Sequence, residues 1–258
     1  MSKIILFVPA HNDKFIANAK ALKRKHKDLQ LVYDLEDSVP ADKKKDAFNK
    51  LTDKKSKILG VNDWIRVDPT VFQSYNFNYV YVEGIMLPKV EKVSDLDYWL
   101  DTSDSYHHKH KIIALIETAA GVENVRKIAK KVHGIMFGKV DLAASLGSDA
   151  FEDFARKRVV LACKAVGVPV YDTPSCSVDD VTIHNHVARS YDYGFDGIGI
   201  LHPKEIPIVK QMWKPSSEKL TWAKAVLEAY KKDYVAIVNG EIIGTPSVKR
   251  AKQILEIK

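Results

Sequence analysis

The sequence predicts an α/β protein: a (β/α)8 barrel over residues 1–215, followed by a helix–hairpin–helix extension over residues 216–258. Two observations carry this. Eight short apolar runs alternate with stretches of helical periodicity, with no internal repeat and no low-complexity linker between them. The length, 258 residues, also matches one barrel of this kind, typically about 250 residues.

The elements follow in order. Ile4–Val8 is a short apolar strand closed by Pro9, and Asn12 or Asp13 can cap a helix from Lys14 to Lys25. Gln30–Leu35 is the second strand and delivers Asp34, Glu36 and Asp37 at its end. Pro40 and Asp42 open a basic helix through Leu51. Trp64–Val67 is the third strand, with Arg66 inside it and Asp68-Pro69 ending it. Tyr79–Val82 and Ile85–Leu87 compete for the fourth; Pro88-Lys89 favours the second by terminating it as the other runs are terminated. Val93–Leu100 is a short helix, and Ser103–Lys111 a polar loop with His107, His108 and His110. Histidines this close in sequence do not readily share one metal ion.

Ile112–Ile116 is strand five and ends in Glu117. Val122, Val125, Ile128, Ala129 and Val132 mark one face of the next helix. Gly134–Phe137 is strand six, ending in Gly138 and then Asp141. Phe151–Val166 is helical, with Ala155, Val159, Ala162 and Val166 among its apolar positions. Val168–Asp172 is strand seven, closed by Thr173-Pro174; Asp179–Tyr193 is a helix; Gly197–Leu201 is strand eight, closed by His202-Pro203. In the extension, Glu218–Lys231 is an amphipathic helix, Asn239-Gly240 marks a hairpin within Val235–Ile243, and Pro246–Ile257 is a final helix.

The hydrophobic share of 46% supports one large core, and the charged share of 28% a solvated surface, as in a soluble globular protein. The run Ile4–Pro9 is too short for a signal-peptide core, and no stretch is long enough to span a membrane. Cys163 and Cys176 give neither a disulfide framework nor a metal spacing, so reduced thiols and a cytoplasmic protein are expected. The net charge of +7 is dispersed. Its densest runs, Lys23–Lys27 and Lys43–Lys45, are not interleaved with aromatics, which argues against a nucleic-acid partner and leaves solvated helix faces or an anionic small molecule such as a CoA phosphate.

In parallel α/β sheets ligands sit beyond the carboxyl ends of the strands, where Glu117 and Asp141 fall. Two carboxylates there make a hard, oxygen-rich pocket for Mg²⁺ or Mn²⁺. Each could instead cap the helix that follows it. Arg66 could clamp a substrate carboxylate bidentately, or pair with Asp34 or Glu36. The acids of Asp34–Asp37 need cations or donors nearby if they are to ionise together, whether they form a solvated turn or support a metal.

The segments LIETAAGV and FGKVDLAASLG resemble the signatures of the citrate lyase β-subunit-like family, part of the HpcH/HpaI aldolase group with a phosphoenolpyruvate/pyruvate-type TIM barrel. LFVPAHNDKFI, LVYDLEDSVPADKK, WIRVDP, MLPKVEK and GFDGIGILHPKEI are similar to further family elements, so the likeness spans nearly the whole chain. The resemblance implies a Mg²⁺-dependent carbon–carbon lyase of the retro-aldol or retro-Claisen type. Glu117 and Asp141 would be the metal ligands, and Arg66 the residue that contacts the substrate carboxylate. Phe7, Lys14, Asp34, Glu36, Gly138 and His202 would lie at the substrate or CoA, with Asp37, Lys89 and Asp172 behind them. It implies a small 2-hydroxy or α-oxo acid as substrate, carried as a CoA thioester, and a homo-oligomer of trimeric form built partly on the extension. Two positions depart from the family. Gly244 stands where CoA-thioester lyases carry an acid, and Asn18 where CoA-binding relatives carry a basic residue. Both leave room for a CoA-independent aldolase or a repurposed homologue that binds metal and acid without lyase activity.

Overall fold

The computed structural model describes residues 4–53, 55–67, 80, 82–100 and 110–255. The chain divides into two compact units, Met1–Val209 and Lys210–Lys258. Of the sequence expectations, Asp68-Pro69, Tyr79, His107, His108 and Ile257 lie outside the described residues.

The first unit is a closed barrel of eight parallel strands: β1 (Ile4–Pro9), β2 (Leu29–Asp34), β3 (Trp64–Arg66), β4 (Gly84–Leu87), β5 (Lys111–Ile116), β6 (Gly134–Phe137), β7 (Val170–Asp172) and β8 (Gly197–Ile200). Each strand pairs with the next, and β8 closes onto β1. The strands read as continuous apolar runs because both faces are covered: one fills the barrel and the other meets the helices. Ile5, Phe7, Val32, Trp64, Met86, Ile113, Leu115, Met136 and Tyr171 form the packed interior. Burying each such large side chain contributes roughly 1.5–3 kcal/mol.

The helices around it are α1 (Asp13–Lys25), α2 (Lys44–Thr52), α3 (Asp97–Leu100), α4 (Ala119–Ala129), α5 (Lys139–Leu146), α6 (Glu152–Val166), α7 (Asp180–Asp192) and α8 (Glu205–Met212). Asn12 rather than Asp13 caps α1, its side chain accepting the Phe15 N–H at 3.2 Å. Lys23, Arg24 and Lys25 close that helix, where cations favour the macrodipole. In α4 the expected face is buried at Val122, Val125, Ile128 and Ala129, while Val132 is buried beyond the helix end. Several boundaries differ from expectation. Lys111 opens β5 instead of ending a loop, and strands seven and eight are shorter, at Val170–Asp172 and Gly197–Ile200. The expected basic helix from Pro40 begins as a 3₁₀ turn, Ala41–Lys43, and Val93–Leu100 also opens with one, Val93–Leu96. Such turns are common at helix ends, and apolar periodicity does not distinguish them.

The second unit holds α9 (Ser217–Lys232), the hairpin β9 (Ala236–Val238) and β10 (Glu241–Ile243), and α10 (Thr245–Ile254). Asn239 and Gly240 both have positive φ, 49° and 83°, as a two-residue hairpin turn with the twist of its strands requires. Ala223, Val226, Val238, Ile243 and Ala251 form its core. Among the described residues no helix is long and apolar enough to cross a membrane.

Candidate active site

The site follows from the period of two along the strands. One step beyond the interior residues Val32, Trp64, Leu115 and Met136 stand Asp34, Arg66, Glu117 and Gly138, on the same inward side and at the carboxyl ends. All four line one cavity of about 430 Å³, together with Phe7, Ser38, Asp141, Thr173, Cys176 and His202. That volume is in the range of small-molecule sites.

Asp34 and Arg66 are register partners on adjacent strands. Arg66 Nε and Nη2 donate to Asp34 Oδ1 and Oδ2 at 2.7 and 2.6 Å, and Nη1 lies 2.9 Å from Glu36 Oε2. Ser38 Oγ also donates to Asp34, and the guanidinium sits 5.2 Å from the centroid of the Phe7 ring. Burial alone would raise the Asp34 pKa; the hydrogen bonds and charge of Arg66 outweigh it and hold the carboxyl below its ordinary value. Burial wins at Glu36, which is pushed up despite Arg66, with Asp37 and Asp34 adding to the rise. Arg66 is thus an ion-paired residue on the cavity wall. A guanidinium has five N–H groups, so two remain beyond these three contacts.

Glu117 is 3% exposed. It does not cap α4: Thr118 does, accepting the Gly121 N–H at 3.1 Å. Glu117 Oε1 instead accepts the Lys89 N–H at 2.8 Å. Lys89 presents that N–H from a left-handed backbone, φ 53°, uncommon outside glycine and asparagine. Burial, with the nearby charge of Asp141, pushes Glu117 up to about 7. Asp141 stands in the first turn of α5, so the macrodipole favours its charge, although that helix is capped by Gly138 without a side-chain bond. A buried carboxyl raised by a second carboxyl is relieved by a cation between them, which is the donor chemistry of a hard divalent ion. Among the described residues no group of three or more His, Cys, Asp or Glu gathers as a closed cage. Two carboxylates with room for water and ligand oxygens suit Mg²⁺, which is seldom fully enclosed by protein.

Gly138 is fixed by space. A Cβ there would lie 2.5 Å from Glu117 Oε2 and 2.7 Å from Glu117 Cβ. Its φ and ψ, −119° and 106°, are open to any residue. The variant Gly138→Ala is therefore expected to keep the barrel, seen by circular dichroism, while displacing the Glu117 carboxylate and weakening Mn²⁺ binding by at least about tenfold, as a misplaced ligand does. Unchanged affinity would mean that Glu117 does not need this space.

The other expected residues are placed as follows. His202 lines the cavity; its Nδ1 accepts the Lys204 N–H at 3.1 Å, which leaves the ring proton on Nε2, and its backbone N–H is held by Glu205 at 2.9 Å. Lys89 Nζ lies 3.4 Å from Glu36 Oε1 and 3.7 Å from Asp141 Oδ1. Lys14 is exposed on α1 and does not line the cavity, whereas Phe15, Asn18 and Leu22 of that helix do. Asp37 is exposed beyond β2. Asp172 is fully buried in a different network: it pairs with Arg156, also 0% exposed, accepts from Ser190 Oγ, and takes the Thr173 N–H at 2.8 Å. His186 Nε2 donates to the Thr173 carbonyl at 2.9 Å. Asp172 thereby shapes the Thr173–Cys176 wall of the cavity from behind. Ser38, Phe15, Cys176 and Arg156 were not expected at or behind the site. Only Arg156 carried a signal, a charge on the apolar face of α6 beside Ala155 and Val159.

Residues 3–203 match the family described as HpcH/HpaI aldolase/citrate lyase. The citrate lyase subunit beta-like protein of Mycobacterium tuberculosis is 30% identical, over 97% of this chain and 93% of that protein. The mitochondrial citramalyl-CoA lyase of Homo sapiens is 25% identical, over 99% of this chain and 85% of that protein. The crystal structure of CitE from Mycobacterium tuberculosis in complex with magnesium, acetoacetate and coenzyme A superposes with a TM-score of 0.84 at 27% identity, covering 99% of this chain and 97% of that one.

Proposed function

The chain belongs to the HpcH/HpaI aldolase/citrate lyase family, and from that premise we propose that it is a Mg²⁺-dependent carbon–carbon lyase that releases an α-oxo acid from the CoA thioester of a 2-hydroxy acid of the citramalyl, malyl or citryl type. The observation that carries this reading is the pairing of buried Glu117 with Asp141 at the barrel mouth, in a cavity that Arg66 also lines. The relatives named above, a citramalyl-CoA lyase and a protein crystallised with magnesium and coenzyme A, support the substrate class and the ion.

The bond that breaks joins the hydroxyl-bearing carbon to the carbon beside the thioester. The hydroxyl loses its proton and its carbon becomes the oxo carbon. The electron pair leaves on the thioester side as an enolate, which takes up a proton. Glu117 and Asp141 would hold the ion, with the Lys89 N–H fixing one oxygen of Glu117 and Gly138 leaving space for the other. Bound there, Mg²⁺ would supply Lewis-acid polarisation of the hydroxyl oxygen, easing the loss of its proton. Arg66, held rigid by Asp34, brings positive charge and its remaining N–H groups to the substrate carboxylate. Phe7, Leu115, Met136, Phe137 and Pro174 give the cavity an apolar wall that limits water. The working form is a homo-oligomer: in the C-terminal unit Tyr234, Val235, Ile237 and Ile242 are exposed, an apolar face that suits association.

A CoA-independent aldolase is the second reading, favoured by Gly244, which leaves the end of β10 without a carboxylate. Assaying α-oxo acid release from citramalyl-CoA, malyl-CoA and the corresponding free acids separates the two. Release from the thioesters supports the lyase, and release from free acids alone selects the aldolase. A protein that binds Mg²⁺ and cleaves none of them contradicts both.

A further inference from the structure

The acids at the mouth of the barrel outnumber the cations that face them. Asp34 and Glu36 share Arg66, which reaches both within hydrogen-bond distance. Asp141 is left with a different partner, the Lys89 ammonium at 3.7 Å, which also lies 3.4 Å from Glu36. That side chain is half exposed and sits on a flexible four-carbon stem, so it can withdraw into solvent at small cost. Its reach is set by an unusual backbone: Lys89 follows Pro88 in the left-handed region, and this turn both gives the Lys89 N–H to Glu117 and sends the side chain across to Asp141.

We propose that Lys89 is a positioning residue whose ammonium acts as a tethered cation, competing with the divalent ion for Asp141 and so setting the affinity of the Glu117–Asp141 pair. The inference rests on the reading of that pair as the metal site. A lysine that merely held the loop together would, on removal, loosen the site and weaken binding. A competing ammonium does the reverse: with it gone, the incoming ion meets an uncompensated carboxylate, and attraction between close opposite charges near a protein surface is large enough to be read in a binding constant. Half exposure and salt screening reduce the effect, to about tenfold.

The test is Mn²⁺ binding, followed by the loss of the free-ion paramagnetic resonance signal, in wild type, Glu117→Gln, Lys89→Met and Lys89→Gly. Lys89→Gly keeps the N–H that holds Glu117 and suits the left-handed φ, so it reports on the ammonium even if Lys89→Met folds poorly. The expected result is tighter binding, by about tenfold, in both Lys89 variants, and loss of binding in Glu117→Gln. If wild type binds and Glu117→Gln does not, but neither Lys89 variant binds more tightly, the inference is overturned and the metal site stands. If wild type binds no more Mn²⁺ than Glu117→Gln, the metal-site reading fails and takes the inference with it.

Discussion

Replacing Glu117 by glutamine lowers metal-dependent turnover by about 10³-fold or more, the rate equivalent of the several kcal/mol that a Lewis-acid ion gives a developing oxyanion. The amide keeps the shape and still offers an oxygen to the Lys89 N–H, so the barrel is expected to remain intact while the ligand charge disappears. The same variant has a signature in the metal-free protein. Burial and Asp141 push Glu117 from 4.5 to about 7. The folded state then keeps a proton that the unfolded chain gives up above about 4.5. The stability this proton brings is complete below the unfolded value and lost as pH rises through about 7, amounting to about 3 kcal/mol. Denaturant unfolding in EDTA at acid and alkaline pH is expected to show this loss in wild type and a smaller one in Glu117→Gln. A variant with the wild-type slope would place the perturbed carboxyl elsewhere.

Arg66→Met destabilises the protein by about 3–5 kcal/mol, as removal of one partner from a buried ion pair does. Asp34 is 1% exposed and loses both donors of a bidentate contact, while Glu36 loses its nearest cation. Because Arg66 outweighs burial and depresses the Asp34 pKa, its contribution is present above the unfolded value and fades as pH falls through the folded one. The difference between wild type and variant therefore narrows in acid. Arg66→Lys restores the charge without the planar fork and is expected to fall between them. A loss under about 1 kcal/mol at neutral pH, typical of an exposed pair, would contradict the geometry.

Much of the barrel was legible because a parallel strand buried on both faces leaves a plain apolar run, and each run was closed by a Pro, Gly or acid. The same period of two carries Asp34, Arg66, Glu117 and Gly138 to one mouth, so their convergence could be argued from sequence. What each does there could not. Whether Arg66 is ion-paired depends on the register that sets Asp34 beside it, and register is a property of the closed sheet. Asp172 ends its strand like the others, yet its partner is Arg156, on a helix sixteen residues earlier. Nothing in PKV marks Lys89 as left-handed, since that conformation is signalled by glycine or asparagine and here is imposed by its surroundings.

The most direct measurement is pyruvate release from citramalyl-CoA by protein stripped with EDTA and then given back Mg²⁺, in wild type and Glu117→Gln side by side. Release that is absent in EDTA, returns with Mg²⁺ in wild type and does not return in the variant is the predicted result. Release that survives EDTA, or that Glu117→Gln sustains at the wild-type rate, would contradict a metal-dependent lyase centred on Glu117 and Asp141.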